Sequence, residues 1–185
     1  MFELKNNTVI FIWEIVKIAT IALLIVIPIR WFIFQPFFVR GPSMEPNFHN
    51  NDYLIVDEIS YRFKNPQRGD VIVFLFPFDN SQKFIKRIIG LPGETIEIKN
   101  NQIIIYKNNQ ADILNETDYL PESVKIPGDI KISLSDKEYF VLGDNRISSS
   151  DSRKWGPLPK ENIIGKVIMR PLPVSVFAKI ETPVY

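Results

Sequence analysis

The sequence predicts a mainly β fold, with a single N-terminal transmembrane helix ahead of an antiparallel β-sheet domain that carries a small inserted subdomain. Three observations lead there. One long apolar segment lies at the N-terminus. After Pro42 the texture changes to short β-branched and aromatic runs cut by Gly, Pro, Asn and Asp. One later stretch is polar and poor in strand signal.

From Val9 to Val39 the chain is apolar with few interruptions, and IATIALLIVIPI between Lys17 and Arg30 is uncharged. That run alone is too short to span a bilayer. Extended over about residues 15–34 it gives about 30 Å of helix, provided that Lys17 and Arg30 snorkel toward the two interfaces, with Trp13 and Trp31 near headgroup level. The bulky RWFIFQPFFVRGP that follows offers no small-residue processing site, so the segment reads as a retained anchor covering residues 1–38. Lys5 and Lys17 on one side balance Arg30 and Arg40 on the other, so the positive-inside rule sets no orientation.

Residues 39–185 then read as one β-rich domain with a single core. Candidate strands are Tyr53 to Val56, Val71 to Phe76, Phe84 to Ile89, Thr95 to Lys99, Ile103 to Lys107, Glu138 to Leu142 and Ile163 to Met169. TIEIK and IIIYK, joined by Asn100 and Asn101, form a hairpin. About residues 108–136, with Pro121, Pro127 and Gly128, read as an insertion dispensable for chemistry.

Composition narrows the chemistry. Lys and Arg total 22 against 21 Asp and Glu, so no basic face points to a nucleic-acid partner. With no Cys and only His49, thiolate catalysis, Cys-ligated zinc and a His-rich metal site are excluded, and no cofactor or metal is expected. Nucleophilic Ser with a Lys base remains open, and it needs an uncharged Lys, because an ammonium has no lone pair to take the Ser proton.

FIKRIIGLPG offers one. Strand alternation puts Phe84, Lys86 and Ile88 on one face and Ile85, Arg87 and Ile89 on the other, each face apolar but for one cation. A desolvated Lys can lose its proton whereas Arg cannot. Lowering a Lys pKa from about 10.4 to about 7 or 8 costs on the order of 4 kcal/mol. Lys86 is a better base candidate than Lys83, which sits among polar residues. Ser43, between Gly41, Pro42 and Pro46, is the nucleophile candidate, and GDNRISSSDSR (Gly143 to Arg153) has the density of a hydrogen-bonded scaffold. The same residues also read as a turn serine, a solvated strand and a polar surface loop. A pairing of His49 with Ser43 is a further alternative, without an orienting group for the imidazole.

Taken in order, the anchor, FQPF, GPSMEPNF, RGDVIVF, KRIIGLPGE, GDNRISSSDSR and WGPLP resemble the bacterial type I signal peptidases, serine peptidases with a Ser and Lys dyad. The resemblance covers nearly the whole chain apart from the insertion. It implies a membrane-bound endopeptidase that removes signal peptides from exported preproteins after A-x-A sites, with no cofactor. Its N-terminus would be cytoplasmic and its catalytic domain on the outer face of the cell membrane, against the lipid bilayer. By position, Ser43 is then nucleophile and Lys86 base, Ser149 orients the Lys amine, and Asp144, Arg146, Asp151 and Arg153 hold the site together. Met44, Phe84 and Ile85 flank the dyad and are candidates for substrate pockets. Asn47 replaces the commoner Thr, RISSSDSR replaces the commoner RDNSxDSR, and Gly41 replaces a Ser that in some relatives helps hold the oxyanion. A LexA-like self-cleaving peptidase and a membrane-tethered binding domain without catalysis are the competing readings.

Overall fold

The computed structural model describes the backbone of residues 2–32, 34–108 and 110–183, and the side chains of these apart from 2–9, 27–34 and 176. Helix α1 (Phe2–Phe32) is followed by strands β1 (Phe34–Phe38) and β2 (Tyr53–Asp57), a single turn α2 (Ser60–Phe63), β3 (Val71–Phe76) and β4 (Asp79–Gly90). Next come β5 (Thr95–Lys99), β6 (Gln102–Lys107), β7 (Gln110–Ile113), β8 (Ile130–Ser133) and β9 (Glu138–Leu142). A second turn α3 (Ser152–Trp155), β10 (Leu158–Pro159), β11 (Ile163–Leu172) and β12 (Ala178–Lys179) complete the order.

Every strand pairing is antiparallel. The larger sheet runs β1-β2-β11-β3-β4-β9-β10, with β12 on β11, and the smaller runs β7-β6-β5-β8. The expected mainly β, antiparallel architecture is therefore present. Alternate residues of β2 and β5 are buried, which is the period-two signature their sequences carry. The β5–β6 hairpin turns at Asn100 and Asn101, both with positive φ (50° and 64°), the geometry that a two-residue primed turn demands and Asn tolerates.

Three differences from the sequence reading have physical reasons. Phe34–Phe38, expected within the anchor, is a strand paired with β2, and its Pro36 is tolerated because β1 ends the sheet. The strand expected from Phe84 begins at Asp79, where the exposed residues Ser81 to Lys83 supply no apolar signal. The insertion contains β7 and β8, of which β7 is exposed throughout and β8 half so, which hid both; β8 pairs with β5, so the small sheet is built jointly with the hairpin.

Among the described residues no helix is long and apolar enough to cross a membrane. Much of the expected span at residues 15–34 lies outside the described residues, since the side chains of 27–34 are not among them.

The core lies in three parts. Met44, Phe48, Leu54, Val56 and Val167 pack beneath the β1–β2 connection. Ile72, Phe74, Ile88, Tyr139 and Leu158 fill the β3–β4–β9 region. Ile96, Ile98, Ile103, Ile105 and Phe140 join the two sheets. The first of these clusters seats the segment that carries Ser43, and β4, an interior strand of the larger sheet between β3 and β9, carries Lys86.

Candidate active site

Ser43 opens a tight turn in the β1–β2 connection. Glu45 N–H donates to Pro42 O at 3.1 Å and Phe48 N–H to Met44 O at 2.9 Å, while Val39 and Asp52 close the base of the loop at 2.9 Å. The Met44 and Phe48 side chains, both essentially inaccessible, anchor the turn in the core. Burial of Met44 corrects the expectation that it lines a substrate pocket: consecutive side chains on this turn diverge, and the one beside Ser43 points inward.

Lys86 reaches Ser43 from β4. Its Nζ lies 2.7 Å from Ser43 Oγ and 2.8 Å from Ile85 O, with the Phe84 ring 5.7 Å away. The side chain is buried, and burial lowers its pKa to about 8, with Asp151 and then Asp144 pulling weakly in the opposite direction. Arg87, next along the strand, is equally buried but keeps its charge by pairing. Its Nε and Nη2 donate to the two Asp144 oxygens at 2.9 and 2.7 Å, its Nη1 to Gly69 O at 2.9 Å, and its guanidinium lies 4.0 Å from the Tyr119 ring centroid.

The segment from Gly143 to Arg153 wraps the opposite side of Ser43. Asn145 N–H donates to Ser43 O at 3.1 Å. Asp151 receives Arg153 Nε and Nη2, both at 2.8 Å, and Gly143 N–H at 3.1 Å. Burial opposes ionisation of Asp151, but these donors and the Arg153 charge outweigh it and hold the carboxyl below the usual range. Arg146 pairs with Glu116 rather than with either Asp of the loop. Ser149 is buried near both partners but donates no hydrogen bond to Lys86; it helps lower Asp151, although no bond of normal geometry joins the two. The hydrogen bonds of Lys86 Nζ run to Ser43 Oγ and Ile85 O, not to Ser149.

Ser43 and Lys86 open onto a groove of about 780 Å³ walled by Phe37, Leu54, Val73, Phe84 and Ile85, with Ser148 and Ser150 at one side. Phe84 and Ile85, expected at substrate pockets, line this groove. Gly41 has φ +82° and donates its N–H to Asn50 Oδ1 at 2.9 Å. The His49 side chain is exposed, and its backbone N–H is bound to Asp52. Among the described residues no cluster of His, Asp and Glu could hold a metal ion.

Residues 12–172 match the family described as signal peptidase, peptidase S26. The chain belongs to this signal peptidase family. It is 38% identical over 176 residues to the probable signal peptidase I-1 of Synechocystis sp., spanning 89% of this chain and 85% of that protein. It is 35% identical over 180 residues to signal peptidase I of Leptolyngbya laminosa (92% and 84% of the two chains) and 34% identical over 157 residues to signal peptidase I V of Bacillus subtilis (80% and 92%).

Within this signal peptidase fold, three residues bearing on the site escaped the sequence reading. Glu116 holds Arg146, Tyr119 covers Arg87, and Asn47 donates from Nδ2 to Asp144 Oδ2 at 2.8 Å and to Tyr119 O at 3.0 Å. Asn47 carried a signal, since it departs from the commoner Thr inside a motif. Glu116 and Tyr119 carried none: they lie in the insertion, and only the fold brings them to the loop.

Proposed function

We propose that this signal peptidase cuts exported precursors with Ser43 as nucleophile and Lys86 as general base. The observation that carries the reading is the 2.7 Å approach of a buried amine, held near pKa 8, to the Ser43 hydroxyl. Neutral Lys86 takes the Ser43 proton as Oγ attacks the scissile carbonyl. The resulting ammonium returns that proton to the leaving amine, the C–N bond breaks, and the signal-peptide half remains as an ester on Ser43. Water, deprotonated by Lys86, then hydrolyses the ester. The Ser43 backbone N–H is the candidate oxyanion donor.

The groove suits an extended substrate. β3 pairs with β4 along one edge, but β9 joins the other edge only from Arg87 onward, so the edge before Arg87 offers free backbone groups to an added strand. Phe84 and Ile85 flank that edge and suit small apolar residues before the cut, as in A-x-A sites.

Membrane attachment is part of the same reading. From Ile10 to Val26 the described helix side chains are exposed, with Ile18, Leu23 and Leu24 among the apolar ones, and such a helix needs an apolar surround. We assign the helix Phe2–Phe32 to a bilayer anchor with the N-terminus cytoplasmic, and β1 with the residues that follow it to a peptidase domain on the outer face.

The test is cleavage of a secretory precursor with an A-x-A site, in detergent, by the intact chain and by Ser43→Ala. Cutting after the site that vanishes in the variant is expected. A folded Ser43→Ala protein that still cuts there would remove Ser43 from the mechanism.

A further inference from the structure

Glu116 belongs to the insertion between β7 and β8, yet its carboxylate grips the back of the active-site loop. Oε1 accepts from Arg146 Nη2 at 2.7 Å and also from the Tyr119 hydroxyl, while Oε2 accepts from Arg146 Nη1. Arg146 is the largest fully buried side chain among the described residues. Burial alone would depress its pKa, but the Glu116 bonds and charge outweigh that and raise it.

What Arg146 does with its other donor connects Glu116 to the chemistry. Nε donates to Gly143 O at 3.0 Å, and the Arg146 carbonyl accepts from Arg153 Nη2 at 2.7 Å. Gly143 is where the loop presses on the nucleophile: a Cβ there would lie 2.2 Å from Ser149 Oγ and 2.4 Å from Ser43 O, so no side chain fits and the backbones are in contact. The neighbouring Asn145 N–H is bonded to that same Ser43 carbonyl. Three links therefore run from Glu116 through Arg146 and Gly143 to Ser43. A second tie runs in parallel, from Tyr119 O through Asn47 to Asp144.

We propose that Glu116 is a positioning residue for the peptidase reaction, holding Ser43 in register with Lys86 through Arg146 and Gly143, and that the insertion is thereby part of the active-site scaffold. The proposal rests on the Ser43–Lys86 reading. Arg146 cannot shed its charge, so without the Glu116 carboxylate it must draw in water or another partner, and the loop that it holds must move. Sub-ångström displacement of Ser43 from Lys86 is enough to slow proton transfer without changing how the groove holds substrate.

The experiment measures kcat, KM and thermal unfolding of the full chain in detergent for the parent, Glu116→Gln, Glu116→Asp and Ser43→Ala, on one precursor with an A-x-A site. Glu116→Gln is expected to lower kcat about tenfold or more with KM within about twofold, at a temperature where its unfolding curve shows it fully native. Glu116→Asp keeps the charge and is expected to regain part of that loss. A fully native Glu116→Gln protein with parental kcat overturns the proposal, as does a loss that only tracks the unfolded fraction. If Glu116→Gln does not fold, reduced kcat at unchanged KM in native Glu116→Asp supports the proposal and parental kcat overturns it. Cleavage by Ser43→Ala would instead overturn the dyad on which the proposal rests, and is read separately.

Discussion

The two sides of strand β4 carry neighbouring cations with opposite fates. Lys86 is 4% exposed and Arg87 3%, so burial hardly distinguishes them. Arg87 meets the Asp144 carboxylate with two hydrogen bonds, whereas Lys86 meets a hydroxyl and a backbone carbonyl, with its nearest carboxylates acting only at a distance. Burial sets the penalty for charge, and the partner decides whether the charge survives. A strand can thus place a structural ion pair and a candidate base one residue apart.

The largest effect should come from removing the amine proposed as base. Lys86→Met is expected to reduce precursor cleavage by at least about a thousandfold while leaving the circular dichroism spectrum unchanged, and Lys86→Arg to be equally inactive, because a guanidinium cannot serve as base. Cleavage retained by Lys86→Arg would erase the contrast between the two faces. On the other face, Asp144→Ala leaves Arg87 buried without its carboxylate and should destabilise the protein by about 3–5 kcal/mol, read as a shift in urea midpoint. A cost near zero would mean that water reaches Arg87 freely.

A subtler difference appears in the pH dependence of stability. The Lys86 amine titrates near 10.5 when unfolded and about 8 when folded, so between those values the unfolded chain binds more protons and stability rises with pH. The gain across the whole window is about 3 kcal/mol, and below pH 8 the full penalty remains. Urea titrations of the parent should show this rise and those of Lys86→Met should lack it; equal slopes would mean that the amine is not depressed. The smallest change is expected from Asp151→Asn. Losing a carboxylate that raises the Lys86 pKa should move the acid limb of kcat/KM to lower pH, and an unmoved limb would place Asp151 outside the field of Lys86.

Much of this was legible in the sequence, for reasons that differ by residue. β3, β5 and β9 show their full extents because one or both of their faces are buried, which puts apolar residues at successive or alternate positions along them. Ser43 and Lys86 could be singled out as candidates because each lies in a motif with a distinctive neighbour, Pro42 on one side and Arg87 on the other. β7 and β8 were hidden because exposed strands need no apolar period. Met44 misled because proximity in sequence to Ser43 says nothing of direction. The pairing of Arg146 with Glu116, 30 positions upstream, is a property of the folded chain alone.

Gly41 bears on how such a site can change over time. Nothing lies within 4 Å of where a Cβ would stand, so space is open for a side-chain hydroxyl two residues before Ser43. The backbone there is left-handed at φ +82°, which a non-glycine residue adopts at a cost of about 1–3 kcal/mol. A Ser acquired at this position therefore either carries that backbone cost or reshapes the turn, whereas Asn tolerates this conformation better and is the less strained new side-chain donor.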